Sequence, residues 1–288
     1  MIRNTVETFE KRDVNQDSVL TPTKSSIPIT SSLFPPALWQ QIDFIEQELS
    51  QELTGIVFPK DIVAIYNPLE YARALHCEFM SKFLNNRPIF LFVGMNPGPF
   101  GMAQTSVPFG NVSVVKDWFK LSSGVKKPPN ELESRPVEGL NCTREEQSGK
   151  RWWGVIRDIS ETPENFFRTA FVYNYCPLAF FSSTGRNITP AEIKDKVAKQ
   201  QLQDICNKYF VKIVEILQPK VIISIGKYAE DRIKGIQKQG LLGVSVFDHR
   251  CIPHPSPRSL NNTNWPEKAK LWFEENGVLP YLKPQNKN

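Results

Sequence analysis

The sequence has no paired cysteine motif and no long apolar run. Its five cysteines never form a CxxC pair, and their spacing suits neither a zinc site nor an iron–sulfur cluster. An odd number of scattered cysteines in a chain of 288 residues is typical of reduced thiols in a nuclear or cytosolic protein. The N-terminus lacks the apolar core of a signal peptide, and no stretch approaches the ~18 continuous apolar residues of a membrane span. We therefore expect no metal centre and no membrane attachment.

Charge of either sign is in only slight excess. The chain has 35 basic and 30 acidic residues, a net charge of +5, which permits an anionic partner without requiring one. No dense run of Lys and Arg occurs, and Lys11-Arg12 alone is a weak signal for nuclear import. The apolar fraction of 40% is ordinary for a globular protein, and the length allows a substantial core in one domain.

The first 32 residues contain few apolar residues at regular spacing. They are rich in Ser, Thr, Asn and charge, which predicts a flexible leader over residues 1–32 and a single domain over residues 33–288. From Pro35 the pattern becomes helical, because Leu38, Ile42, Ile45 and Leu49 recur at spacings of three and four.

Four short apolar runs predict strands at 88–94, 170–174, 221–226 and 244–247. Such runs are typical of strands buried on both faces of a parallel sheet. Helices are predicted before, between and after them: from Asn67-Pro68, around 151–156, from Thr189-Pro190 to about Leu217, and after Trp265-Pro266. This alternation predicts an α/β domain with three layers, α/β/α, around a central, mainly parallel four-stranded sheet.

Polar residues follow three of the predicted strands. The loop at 94–102 holds three glycines and two prolines, the loop at 174–178 begins with Asn174, and the loop at 253–259 carries His254 among three prolines. Each feature alone has an ordinary structural explanation as a turn, a cap or a packed side chain. Because ligands of such domains bind beyond the carboxyl ends of the strands, their coincidence at one sheet edge favours a ligand site.

These loops resemble a known family. Residues 94–105, 174–178 and 254–258 resemble the three signature segments of the single-strand-selective monofunctional uracil-DNA glycosylases, and residues 185–192 are also similar to that family. The resemblance covers roughly residues 34–282. It implies the uracil-DNA glycosylase fold, removal of uracil from DNA by flipping the base into a pocket, no cofactor, no strand cleavage and a place in the nucleus.

The resemblance also implies roles for single residues. Asn96 positions the attacking water and His254 donates a hydrogen bond to uracil O2, so these two are the expected catalytic residues. Phe109 is the stacking platform for the base. Asn174 reads the base edge, since its amide offers a donor for O4 and an acceptor for N3–H, a pattern that cytosine would oppose.

Further positions in the resemblance concern base selection and DNA contact. Gly98 stands where a related branch has a Tyr that blocks pyrimidine C5, so we expect C5-oxidised uracils such as 5-hydroxymethyluracil to be accepted. Met102 completes the expected base-binding set. Contacts to DNA are expected from Ser256, Arg258, Ser259 and Leu260. Leu260 is the expected wedge that enters the duplex, and it lies in a stretch, 260–264, whose sequence departs from the family's usual one.

Other functions stay open from the sequence. A mismatch-specific uracil or thymine glycosylase shares an Asn-Pro-Gly loop but typically lacks the histidine of the last segment. A non-catalytic binder of damaged DNA could keep the same fold. The expected partner in every case is DNA, single- or double-stranded, and the expected state is a monomer.

Overall fold

The computed structural model describes residues 35–242, 247–259 and 262–285. The predicted leader, the predicted strand residues 244–246 and the predicted wedge Leu260 lie outside the described residues. Within those ranges the helices and strands, in chain order, are α1 (Leu38–Leu53), β1 (Ala64–Tyr66), α2 (Pro68–Tyr71), α3 (Arg73–Phe83), β2 (Phe90–Gly94), α4 (Met102–Thr105), α5 (Gln147–Ser160), α6 (Pro163–Phe167), β3 (Ala170–Asn174), β4 (Ala179–Phe181), β5 (Asn187–Ile188), α7 (Lys196–Leu217), β6 (Val221–Ile225), α8 (Lys227–Lys238), β7 (Asp248–Ile252), α9 (Trp265–Glu275) and α10 (Leu279–Leu282).

The central sheet has four strands in the order β3-β2-β6-β7, and each neighbouring pair is parallel. Every residue of β2, β3 and β6 is buried, as the continuous apolar runs of the sequence require. In this register Gly94 pairs with Asn174, and Ile225 pairs with Ile252, so the strand ends lie at one edge. The predicted three-layer α/β/α fold with a four-stranded parallel sheet is confirmed.

The last strand of this sheet begins later than predicted. The apolar run suggested 244–247, whereas β7 spans Asp248–Ile252 and is polar over most of its length. An edge strand has one neighbour and leaves side chains partly in water, so it need not be apolar. Here Asp248 is exposed and pairs with Arg250, and the His249 ring bonds the Ser224 hydroxyl at 2.7 Å.

A small second sheet was not predicted. Strands β1, β4 and β5 form an antiparallel sheet in the order β1-β4-β5, with Ala64 opposite Phe181. Strands of two or three residues are too short to show a period in the sequence. One predicted helix is also divided: Thr189 caps only a single turn at Pro190–Glu192, and α7 begins at Lys196 with Asp195 as its cap.

Two groups of helices surround the central sheet. Helix α1 packs on α7 and α3, whereas α5 packs on α6, α9 and α10. Trp152 of α5 is fully buried and touches both Phe92 of β2 and Phe109 of the loop that follows α4. Burying a side chain of this size contributes several kcal/mol. The core therefore extends from the sheet to the loops at its edge. None of the helices among the described residues has the length and apolar character to span a bilayer.

Candidate active site

Three loops meet where the parallel strands end. Asn174 is the last residue of β3, Asn96 lies two residues beyond β2, and His254 lies two residues beyond β7. The Phe109 ring lies 6.0 Å from the His254 ring, measured between centroids. The structure thus brings the loops that the sequence singled out to one edge of one sheet.

Glycines allow these loops to approach each other. A Cβ on Gly94 would overlap the Asn174 Oδ1 atom and lie 2.9 Å from the Phe109 ring. A Cβ on Gly226 would lie 2.8 Å from the Cβ of His254, and the φ of Gly226 is +91°. On α5, a Cβ on Gly149 would overlap the Phe109 carbonyl oxygen. The positions of Phe109, Asn174 and His254 therefore require glycine at three neighbouring positions, where a Cβ would collide.

Phe109 has a backbone conformation that a phenylalanine rarely adopts. Its φ is +57°, in the left-handed region that costs a non-glycine residue about 1–2 kcal/mol. The surrounding turn is fixed by Thr105, whose hydroxyl donates to the Gly110 carbonyl at 3.0 Å and accepts from the Val107 N–H at 3.2 Å. Strain of this kind persists where neighbouring contacts impose it and is frequent at functional sites.

The Asn174 side chain is buried with its oxygen unsatisfied. The residue is 5% exposed, and its Nδ2 donates to the Met102 sulfur at 3.0 Å. Its Oδ1 has no partner among the described residues. Leaving a buried acceptor unpaired costs about 1–3 kcal/mol, and a thioether is a weak acceptor. Both ends of the amide are therefore available to a ligand that offers a donor beside an acceptor.

His254 is held as a neutral imidazole. Its Nδ1 accepts the backbone N–H of Ser256 at 3.1 Å, which leaves the proton on Nε2. Burial lowers the pKa of His254 to about 4. Above that pH the ring is uncharged, and its Nε2–H can act as a hydrogen-bond donor.

The loop around His254 is held by residues that the sequence did not single out. Asn262 is buried, and its Nδ2 donates to the carbonyls of His254 and Ser256 at 2.8 and 2.7 Å. Trp265, the first residue of α9, donates its indole N–H to the Pro253 carbonyl at 2.8 Å. Asn262 belongs to the stretch 260–264, whose sequence departs from the family's usual one, and it nevertheless stabilises the loop around His254.

Asn96 is half-buried and anchored through its amide nitrogen. Its Nδ2 donates to the Leu178 carbonyl at 3.0 Å and, more weakly, to the Pro97 carbonyl at 3.4 Å. The two bonds fix the orientation of the amide, so that Oδ1 is left as an acceptor. An oxygen held in this way can orient a water but cannot remove its proton at neutral pH.

The carboxyl group of Glu146 lies beside Gly98. A Cβ on Gly98 would overlap both carboxyl oxygens of Glu146, and one on Gly101 would lie 2.6 Å from Oε2. Oε2 is buried and has no partner among the described residues, and burial raises the pKa of Glu146 to about 7. Glu146 precedes α5, and nothing in its local sequence marks it as part of this site.

Three of the four expected DNA-contact residues, Ser256, Arg258 and Ser259, lie in a surface loop. The Ser256 hydroxyl accepts the Arg258 N–H at 3.2 Å, while the side chains of Arg258 and Ser259 are exposed. Leu260 lies outside the described residues. Among the described residues, no cluster of three or more His, Cys, Asp or Glu side chains is arranged to hold a metal ion.

Comparisons with known proteins identify the family of this chain. A family model described as the uracil DNA glycosylase superfamily matches residues 81–275. The single-strand selective monofunctional uracil DNA glycosylase of Mus musculus is 41% identical over 243 residues, which cover 83% of this chain and 85% of the mouse protein. The Bos taurus protein of the same name is 42% identical over 242 residues, which cover 83% of this chain and 88% of the bovine protein.

A solved structure supports the fold. The crystal structure of wild-type Pedobacter heparinus SMUG2 superposes with a TM-score of 0.61 at 17% identity, over 84% of this chain and 99% of that chain. At that identity the likeness concerns the fold alone. The family match and the two mammalian relatives show that the chain belongs to the uracil DNA glycosylase superfamily, in the family of single-strand selective monofunctional uracil DNA glycosylases.

Proposed function

We propose that the protein hydrolyses the N-glycosidic bond of uracil and of C5-oxidised uracils in DNA, after flipping the nucleotide into the pocket, and leaves the strand intact. Its family makes it a uracil DNA glycosylase of DNA repair. The observation that carries the finer proposal is the Asn174 amide, which is buried, lacks a partner on Oδ1 and lies beside the Phe109 ring. We also propose that the protein acts as a monomer in the nucleus.

Base recognition follows from the amide and the ring. In the proposed complex Asn174 Oδ1 accepts N3–H of uracil, and Nδ2 exchanges the Met102 sulfur for uracil O4. Phe109 stacks on the base, a contact worth about 1–3 kcal/mol in single-strand binding proteins. Cytosine offers an acceptor at N3 and an amino donor at C4, so the same fixed amide opposes both of its groups.

Bond cleavage requires stabilisation of the leaving base. The electron pair of the C1′–N1 bond moves to the base, where negative charge develops on O2, and the sugar becomes cation-like. The Nε2–H of neutral His254 is proposed to donate to that oxygen. A preorganised donor of this kind is worth about 10²–10³ in rate. Because His254 is neutral near pH 7, it can stabilise the charge on O2 by a hydrogen bond without transferring a proton to the base.

Water completes the reaction at C1′. Asn96 Oδ1 is proposed to accept a hydrogen bond from that water and direct its oxygen at the sugar, since Nδ2 is already bound to Leu178. The water adds its oxygen to C1′ and releases one proton to the solvent, while the departing uracil anion takes up one proton, so that neutral uracil and an abasic sugar result. The loops at 94–111, 174–178 and 253–259 contain no lysine, which supports a reaction without a Schiff base and without strand cleavage.

Contact with DNA is proposed from the surface loop. Ser256, Arg258 and Ser259 would bind phosphate oxygens, which positions the strand without reading its sequence. Leu260 would fill the space that the flipped nucleotide leaves. Extrusion costs a few kcal/mol and least in an unpaired strand, so we expect action on both strand forms and the faster excision from single strands.

The test is excision from an end-labelled oligonucleotide with one uracil, as a single strand and as a duplex, resolved on a gel with and without hot alkali. We expect breakage at the uracil only after alkali. His254→Ala should lower the single-turnover rate by about 10²–10³-fold. Asn96→Ala should slow cleavage while binding of uracil-containing DNA, followed by fluorescence anisotropy, is retained.

Other outcomes would change the proposal. Breakage without alkali, or an adduct trapped by borohydride, would mean a strand-cleaving enzyme. DNA binding without excision of uracil or 5-hydroxymethyluracil would indicate a non-catalytic binder. Excision of thymine opposite guanine at a rate close to that of uracil would favour the mismatch-specific class.

A further inference from the structure

The carboxyl group of Glu146 lies against the loop that follows β2. It is packed so closely on Gly98 and Gly101 that a Cβ at either position would collide with it. Its own backbone is fixed, because the Glu146 N–H donates to Asn111 Oδ1 at 3.1 Å, and Asn111 follows Phe109 by two residues. Glu146 is thereby held between the two loops that frame the pocket.

No nearby charge accounts for the burial of this acid. Residues 95–111, which form both facing loops, contain no ionisable side chain. Nearby charges on its own segment are engaged elsewhere: the Arg144 guanidinium lies 3.7 Å from the Phe100 ring centroid, Lys150 pairs with Glu145 at 2.8 Å, and Arg151 donates to the Asn262 carbonyl at 2.9 Å. A buried carboxyl oxygen without a donor is costly to the folded protein, which points to a role beyond packing.

The position of Glu146 corresponds to one edge of the proposed base. Asn174 Nδ2 contacts the Met102 sulfur, and it is this nitrogen that would bind uracil O4. Gly101, which the Glu146 carboxyl touches, immediately precedes Met102. In the uracil ring C5 is bonded to C4, the carbon that carries O4. C5 and any group on it therefore face the side of the pocket where Glu146 lies.

We propose that Glu146 is a specificity-determining residue, whose carboxyl group hydrogen-bonds the oxygen carried on C5 of the flipped base. This inference rests on the proposed function and names the group that selects oxidised uracils. A C5 oxygen supplies the partner that Oε2 lacks, so the cost of this buried, unpaired oxygen is relieved only by an oxidised base. A methyl group at C5 offers no such bond, and thymine would leave the acid unsatisfied.

The protonation state of Glu146 should affect 5-hydroxymethyluracil and 5-formyluracil differently. Because its pKa is raised to about 7 by burial, the group is a neutral acid at lower pH and a carboxylate at higher pH. A 5-hydroxymethyl group donates or accepts and can bond both forms. A 5-formyl oxygen only accepts, so it needs the protonated acid.

The experiment measures single-turnover excision of uracil, 5-hydroxymethyluracil and 5-formyluracil from single-stranded oligonucleotides by the full-length protein. Glu146→Ala should lower the rates on the two oxidised bases relative to uracil by about tenfold, the loss of one hydrogen bond. Glu146→Gln keeps a donor and an acceptor and should retain the preference. Glu145→Gln is the matched control, because its carboxylate binds Lys150 and Ser113 outside the pocket and should change no ratio.

A pH series gives a second readout. From about pH 6 to about pH 8 the ratio of 5-formyluracil to uracil excision should fall in the wild type as Glu146 loses its proton, and should be flatter in Glu146→Gln. Dividing the wild-type ratio by the Glu146→Gln ratio at each pH cancels the effect of proton loss from the bases themselves. The corresponding 5-hydroxymethyluracil ratio should change less.

The outcomes are distinguishable. Unchanged ratios in Glu146→Ala, with uracil excised normally, would overturn this inference and leave the proposed function intact. Equal losses on all three substrates would also overturn it, since they indicate a general catalytic or structural role. No excision of any base by the wild type would instead refute the proposed function.

Discussion

At the scale of single residues, the site combines groups whose ordinary hydrogen bonds are missing. Asn174 Oδ1 and Glu146 Oε2 are buried and unpaired among the described residues. The Nδ1 atom of His254 accepts the Ser256 N–H, which leaves the ring proton on Nε2. A buried acceptor without a donor reduces the stability of the folded protein, and in the proposed complexes Asn174 and Glu146 gain their partners from the bound base. The pKa changes have one cause: burial lowers the pKa of His254 to about 4 and raises that of Glu146 to about 7, and each shift favours the neutral form.

A substitution of Asn174 tests base reading at this scale. Asn174→Asp keeps the shape and the acceptor but replaces the donor for O4 with an oxygen. Uracil excision should fall by about 10–100-fold, because one hydrogen bond is lost and two oxygens face each other. The measurement is the single-turnover rate, with thermal melting as the control for folding. An unchanged rate in a folded variant would remove Asn174 from the pocket.

At the scale of elements, α5 links the core to the pocket. Its N-terminal end places Glu146 on the 98–101 loop, Gly149 on the Phe109 backbone and Trp152 beneath the Phe109 ring. Helix position and pocket shape are therefore coupled, and small changes along α5 should act differently on its two faces. The helix provides a matched pair of glycines to test this.

Gly149→Ala and Gly154→Ala place the same methyl group on opposite faces of α5. At Gly149 the methyl overlaps the Phe109 carbonyl and must displace the platform, so excision should fall by up to about 10²-fold. At Gly154 the methyl meets nothing within 4 Å and should stabilise the protein by about 0.5–1 kcal/mol. Excision rates and urea denaturation of both variants are the measurements. Similar effects of the two changes on excision would contradict the coupling.

At the scale of the whole molecule, the pH dependence of the free energy of unfolding is the sum of contributions from titratable groups whose pKa changes on folding. His254 has a lowered pKa, so its contribution is lost as pH falls from 6.5 towards 4. Glu146 has a raised pKa, so its contribution is present below 4.5 and lost as pH rises through about 7. The pKa of His76 is also raised: burial acts against the charged ring, but Glu46 at 2.8 Å and the Ser106 carbonyl outweigh it. Its contribution is lost as pH rises above 6.5.

Comparison of two proteins isolates the Glu146 contribution. In Glu146→Gln the side chain no longer titrates, while His76 and His254 are unchanged. The free energy of unfolding of this variant, relative to the wild type, should therefore increase from about pH 5 to about pH 8. Urea denaturation at each pH is the measurement, and Glu145→Gln should show no such trend. A constant difference across this range would mean that Glu146 has an ordinary pKa.

Much of this molecule follows from its sequence alone. The apolar runs that contain 90–94, 170–174 and 221–225 predicted three buried parallel strands, because their short length and the turn residues that follow them favour strands over buried helices. Strand ends in turn determine which loops share an edge, and so bring Asn96, Asn174 and His254 to one place. Their chemical roles stay predictions, since they rest on resemblance rather than on a measured reaction.

Tertiary structure alone decided the rest. The polar edge strand β7 and the strands of two or three residues carry no period that distinguishes them from loops. Asn262 supports the His254 loop through bonds that form only when the chain between them has folded back. Glu146 looks like any surface acid before a helix; its burial comes from packing on Gly98, 48 positions earlier in the chain. Desolvation is a property of that packing, so no local pattern could have shown that this carboxyl group is buried against Gly98.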